Sequence, residues 1–164
     1  SWPSIQEALP KAIAAFDKSR TREGAHLKKD MMARLRTLKG LLKQIGKEGA
    51  TVAAYHRTNL QRRLEESGLP LPLDDERLLK EIGFFAERCD ISEEITRLEC
   101  HFVQFQHYLD SPEPQGRAMD FLSQELNREF NTIGSKANKA GIAQLVVTGK
   151  SEVEKIREQV QNVE

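Results

Sequence analysis

Two stretches of the chain gather side chains able to handle a phosphate, a metal ion or a proton. Between Asp90 and Leu109, the residues Glu94, Arg97 and His101 are spaced so that a helix puts a carboxylate, a guanidinium and an imidazole in one row, continued by Gln104 and Tyr108. The row borders an apolar stripe of Ile91, Ile95, Leu98, Phe102, Phe105 and Leu109. An imidazole with carboxylates can ligate a divalent ion, and neutral histidine near pH 7 can move a proton. The same row also suits a Glu94–Arg97 ion pair worth about 0.2–0.5 kcal/mol, with His101 at the core boundary.

The second stretch is Gly116 to Lys136. Met119, Leu122, Leu126, Phe130 and Ile133 form its core face, while Asp120, Gln124, Asn127, Arg128, Asn131 and Ser135 fill the opposite arc. A merely solvated face favours Lys, Glu and Arg; amides and short polar groups weaken a helix but hold fixed hydrogen bonds. Glu125 and Glu129 make a separate acidic pair one turn apart, near Lys136 and with Thr132 toward one edge. Paired carboxylates can hold Mg²⁺ or Mn²⁺, because hard cations prefer oxygen ligands and phosphate oxygens complete the shell. Exposed helix charges account for the pair equally well.

These stretches need helices to position them, and the whole chain reads as all-α: apolar residues recur at helical spacing and no strand alternation or hairpin signal appears. A first helix is expected near Ser4, its cap, with Ile5, Leu9, Ile13 and Phe16 on one side and Pro10 bending or delaying it. From Leu27 the residues Met31, Leu35, Leu38, Leu42, Ile45 and Val52 follow a period close to 3.5, a coiled-coil-like seam. Gly46 and Gly49 lower helix propensity there, yet Tyr55, Leu60 and Leu64 prolong the pattern until Ser67-Gly68-Leu69-Pro70 ends it. Residues 1–68 thus form a long helical arm, one helix or a hairpin. Continuous, it would reach roughly 95 Å at about 1.5 Å per residue and would need a partner in this chain or another subunit.

Residues 69–164 are expected to form a compact bundle of about four helices, packed with the arm as one structural unit. Leu71-Pro72-Leu73 and then Asp74-Asp75-Glu76 introduce a helix over 74–88. Asp90 or Ser92 caps the next, to about Leu109, where Asp110-Ser111-Pro112-Glu113-Pro114 breaks it. Helices over 115–134 and 138–162 follow, the last with an interruption near Gly149.

Composition narrows the class. With 38% hydrophobic and 30% charged residues the chain should fold rather than remain disordered, and its apolar runs are far too short for a membrane span, so a soluble, cytoplasmic protein with no membrane partner is expected. A start at Ser1 suggests a piece of something longer. Cys89 and Cys100 lack CxxC spacing and are expected as reduced, buried thiols. Net charge is zero, which argues against a uniformly basic nucleic-acid binder, but residues 1–66 carry 14 Lys+Arg against 7 Asp+Glu and residues 67–164 carry 11 against 18. That division suits either polyanion binding by the front half, through residues such as Arg20, Arg22, Lys28 and Lys29, or pairing of the two halves within an oligomer.

Several of these segments share a resemblance. Arg88-x-Asp90-Ile91-x-Glu93-Glu94-x-x-Arg97-Leu98-x-x-His101 resembles a segment of the YicC/YloC-type endoribonuclease family. Gly116-Arg117-x-x-Asp120-Phe121-x-x-Gln124-Glu125-x-Asn127-Arg128-Glu129-x-Asn131-Thr132-x-x-Ser135-Lys136 is similar to that family's most recognisable motif. Arg20-x-x-Glu23-Gly24-x-x-Leu27 and the stretch from Lys155 to Glu164 resemble its long-helix and carboxy-terminal segments. The family's amino-terminal domain, which contains β structure, has no counterpart here.

The resemblance implies a metal-dependent endoribonuclease that uses Mn²⁺ or Mg²⁺, acts on RNA and assembles as a ring-like homo-oligomer such as a hexamer. On that basis Glu94, His101, Asp120, Glu125 and Glu129 are the expected catalytic and metal-binding residues, not all around one ion. Arg97, Arg117, Arg128 and Lys136, with Gln124, Asn127 and Asn131, are expected to contact RNA or phosphate. In a second mechanism His101 acts as base on a ribose 2′-hydroxyl without an essential metal. A rival reading from another class is a helical oligomerisation module, not catalytic by itself.

Overall fold

The 3.5-residue seam read along the first third of the chain is what closes the structure. Met31, Leu35, Leu38, Leu42 and Ile45 are all buried, each 3% exposed or less. They lie on α1 (Trp2–Gly49), followed by α2 (Val52–Glu66), α3 (Glu76–Arg88), α4 (Ser92–Asp110), α5 (Gly116–Lys136) and α6 (Ala140–Val160). This computed structural model describes residues 2–68, 72, 75–137 and 139–163, less the side chains of Pro3 and Ser4. Among these residues the chain is all helix and turn, and no helix is long and apolar enough to cross a membrane.

The second half of α1 packs on α6 and α4, and α5 packs on both of those, so the four helices form a closed ring around one core. α6 contributes Ile142, Val146, Gly149, Val153, Ile156 and Val160, again at alternating steps of three and four. Such spacing keeps one face of each helix toward its neighbours. Leu98, Phe102 and Phe105 of α4 and the full predicted core face of α5 complete the interior. The bundle's fourth member is therefore α1, while α3 packs chiefly against α2, with the His56 and Phe85 rings stacked 3.4 Å apart.

The arm breaks once. α1 starts at Trp2, two residues before the expected start, continues through Pro10 and ends at Gly49. Ala50 and Thr51 then make a tight turn, whose N–H groups donate to the carbonyls of Gly46 and Glu48. The Ser4 cap lies outside the described side chains. α2 closes on Gly68, whose φ of 73° is the left-handed conformation that favours glycine. The Asp75 carboxylate caps α3 by accepting from the N–H groups of Arg77 and Leu78, at 2.9 and 3.3 Å. Leu71, Leu73 and Asp74, part of that expected helix start, lie outside the described residues.

Two expectations are corrected. α6 runs unbroken through Gly149, because that glycine fits against Phe130: a Cβ there would sit 2.7 Å from the ring. Cys100 is exposed and Cys89 half-buried, both free, since Cys100 falls off the apolar stripe of α4. Part of the charge division is resolved within one chain: Arg34 reaches Glu152 at 3.1 Å and Lys28 reaches Asp110 at 2.7 Å.

Replacing Gly149 with Ala should destabilise the protein by about 1–3 kcal/mol, the cost of overpacking a close interior contact. The urea midpoint of Gly149→Ala against wild type checks this. Exposed Gly83→Ala, where an added Cβ meets nothing, should be neutral or stabilising.

Candidate functional site

α4 and α5 bury their apolar faces in the same core and lay their polar shoulders against each other. The start of α4 is set by Asp90, whose carboxylate accepts from the Ser92 N–H and hydroxyl at 2.9 and 2.5 Å. Those bonds hold Asp90 below the ordinary carboxylate range. From there Glu94, Arg97 and His101 point along one row toward α5, which answers in reverse order with Lys136, Glu129 and Glu125.

The first rung pairs Lys136 Nζ with Glu94 Oε1 at 2.7 Å. Glu94 is buried, and its other oxygen has no partner among the described residues. The hydrogen bond from Lys136 to Glu94 raises the lysine above its usual range. The second rung joins Arg97 to buried Glu129 at 3.4 Å, and Arg97 also pairs with Glu93 on its own helix. The charge of Glu93, foremost, and the bond to Glu129 raise the Arg97 pKa. At the third rung one ligand atom each from His101, Glu125 and Glu129 lie within 4.8 Å of one another. Glu129 is buried and the other two are half-buried.

This geometry sorts the sequence-derived residues. His101, Glu125 and Glu129 converge, and an imidazole with two carboxylates is a donor set that fits Mn²⁺ or Mg²⁺. Glu94 belongs to the neighbouring ion pair. Asp120 lies apart, accepting from Arg157 Nε at 3.1 Å and from the Gln124 amide at 2.9 Å. The Glu94–Arg97 pair does not form, because the two residues find Lys136 and Glu129 across the interface. Lys136 accordingly meets Glu94 rather than the Glu125/Glu129 pair.

Among the phosphate-binding candidates, Arg128 is exposed and 3.8 Å from Glu125, while exposed Arg117 makes no ion pair among the described residues. Asn131 is exposed, and Asn127 is half-buried with its carbonyl oxygen unpartnered. Two partners escaped the sequence reading. Glu93 was available from its i,i+4 spacing to Arg97. Arg157 was not, since only the packing of α6 on α5 brings it to Asp120.

Comparison with known proteins places this geometry in a family context. The family model described as "Endoribonuclease YicC-like, C-terminal" matches residues 45–164. A protein of Clostridioides difficile named "Probable endoribonuclease YicC" is 38% identical over 164 residues, covering 99% of this chain and 56% of that protein. One of the same name from Haemophilus influenzae is 34% identical over 157 residues, covering 96% and 54%. The chain thus spans about half the length of the curated relatives it matches.

Replacing Lys136 with Met strands the buried Glu94 carboxylate and should cost about 1–3 kcal/mol, less than a fully buried pair because Lys136 is partly exposed. The double variant Lys136→Met with Glu94→Gln should recover part of that loss. Because the folded lysine titrates above its ordinary 10.5, its contribution is complete below that pH and disappears as pH rises through the folded value. Urea unfolding of wild type and Lys136→Met from neutral to strongly alkaline pH should therefore show a gap that narrows only at the alkaline end.

Proposed function

Since the chain belongs to the YicC-like endoribonuclease family over its carboxy-terminal region, we propose that the α4–α5 seam is an RNA phosphodiester-cleaving site centred on His101, Glu125 and Glu129. The observation that carries the reading is the convergence of those three residues, from two helices, to within 4.8 Å. A divalent ion bound there would polarise the scissile phosphodiester and lower the pKa of an attacking water.

The chain's own residues have separate tasks in this scheme. Glu129, held by Arg97, and Glu125 are the oxygen ligands, and His101 supplies the nitrogen. Arg97 and exposed Arg128 present guanidinium groups to phosphate oxygens at the rim. Exposed Asn131 and, farther along α5, Gln124 are placed to meet ribose or base edges. The Lys136–Glu94 pair fixes the register of the two helices and so the spacing of the ligands. Asp120, engaged by Arg157, orients Gln124 and stands outside the ligand set.

Titrating this chain with Mn²⁺ by calorimetry should reveal one site, weakened at least about tenfold in Glu129→Gln and in His101→Ala. Cleavage of a structured RNA, run beside the Clostridioides difficile relative as assay control, should stop with chelator and fall by about a hundredfold or more in either variant. Cleavage unchanged by both chelator and His101→Ala would dispose of the metal site. Products ending in a 2′,3′-cyclic phosphate would assign His101 as base on the 2′-hydroxyl instead. Neither metal binding nor cleavage by this chain would favour the assembly-module reading, which the exposed arm supports.

A further inference from the structure

Phe121 stands where neither packing nor helix propensity requires a phenylalanine. Its ring is 63% exposed, and among the described residues it is the one large apolar side chain exposed on α5. At about 100° per residue it lies about 140° from the centre of the core face formed by Met119, Leu122, Leu126, Phe130 and Ile133. Phenylalanine is also a poorer helix former than the leucine, glutamate or lysine that would serve an exposed position better.

Its neighbours are polar, and two of them are arginines. Arg117, Gln124 and Arg128, at i−4, i+3 and i+7, lie within about 60° of it around the helix, and all three are exposed. Arg117 makes no ion pair among the described residues, and Arg128 approaches Glu125 only to 3.8 Å, so both guanidinium groups are open to phosphate oxygens. Glu125 follows Phe121 by one turn, about 6 Å along the axis and about 40° around it. Helical side chains lean toward the amino terminus, so the Glu125 carboxylate reaches back over the turn that carries Phe121. The ring therefore stands at the edge of the cluster of His101, Glu125 and Glu129.

This company separates two kinds of ligand. A protein partner that buries a phenylalanine does so within a contiguous apolar patch, and α5 offers no second exposed large apolar side chain beside it. A single ring between arginines and amides suits a single strand: the ring stacks on a base, guanidinium groups meet the flanking phosphates, and amides meet ribose or base edges. A ring on the convex side of a helix reaches only a base whose face is open. Inside a duplex the neighbouring pairs cover both faces, so an unpaired base alone fits.

We propose that Phe121 is a base-stacking platform that holds one unpaired nucleotide of RNA beside the phosphodiester to be cleaved, restricting the site to single-stranded or looped segments. The proposal takes its substrate from the RNA-cleaving reading of the α4–α5 seam, but its test does not require cleavage.

Binding of short RNAs to the 164-residue chain in chelator reads the stacking directly. An unpaired octamer should bind Phe121→Ala about tenfold more weakly than wild type, and Phe121→Trp should restore the affinity. Phe121 is outside the core, so its replacement leaves the bundle folded. An octamer of abasic sugar-phosphates should bind wild type and Phe121→Ala equally. With Trp2, the chain's one tryptophan, replaced by Phe, the fluorescence of Phe121→Trp should be quenched by the octamer and not by a blunt duplex of the same strand. Octamer affinity unchanged in Phe121→Ala, an equal loss with the abasic octamer, unquenched fluorescence, or no octamer binding by wild type would each overturn the proposal. So would a change in sedimentation on Phe121→Ala, which would mean that the ring meets protein. The expected binding pattern beside cleavage indifferent to chelator would support stacking while removing the metal site. Chelator-sensitive cleavage with octamer affinity indifferent to Phe121→Ala would do the opposite.

Discussion

Phe130 rests in the notch that Gly149 leaves in α6, and this contact limits both the distance and the rotation between α5 and α6. Interiors are packed like crystals, so a ring lodged against backbone has little freedom to turn. Phe130 and Glu129 are neighbours on one helix, about 100° apart around its axis. Fixing the ring toward α6 therefore turns Glu129 toward α4, and Glu125, one turn earlier, goes with it. The polar seam is thus a consequence of an apolar contact on the other side of the same helix.

Placing Glu94 and Glu129 at 4% and 3% exposure is costly unless each charge is compensated. Lys136 and Arg97 do this across the interface. Both cations keep a route to water, being 32% and 51% exposed, and each stays charged in that position. Antiparallel packing also dictates the order: a rung between the start of α4 and the end of α5 places the next residues of α4 against progressively earlier residues of α5. Once Glu94 meets Lys136, His101, seven residues on, is carried to the level of Glu129, seven residues back, with Glu125 one turn beyond it. The convergence of a histidine with two acids thereby follows from helix direction and period.

What the sequence disclosed divides along the same physical line. The core faces of α1, α4 and α5 were legible because burial imposes a period on residue type: Leu98, Phe102, Leu122, Leu126 and Phe130 all lie inside as their spacing required. The types of the site residues were legible too. Their partners were not, because a wheel shows one helix and an ion pair needs two. Arg97 sits three residues from Glu94, a spacing that permits a bond, but it bonds Glu129 and Glu93 instead. Asp120 looked equivalent to Glu125 by charge, and only the packing of α6 separates them by supplying Arg157. Gly149 misled for a related reason: glycine weakens an isolated helix, yet a glycine opposite a large ring permits the approach that holds the helix in place.

α1 shows how far a repeating pattern can outrun the core that uses it. Its apolar positions are exposed up to Phe16 and resume against the core at Leu27, near the end of α4, after a stretch in which Arg20, Glu23 and Gly24 occupy the same line. Intrinsic propensity does not hold the free portion helical, since Pro10 and Gly24 both oppose it. Burial stabilises the helix beyond Met31, and helix propagation from that anchored part carries order backward more readily than nucleation would create it. Such an extension remains marginal until its apolar line is covered, which links the folding of the arm to its surroundings while leaving the ring of α1, α4, α5 and α6 closed on its own core.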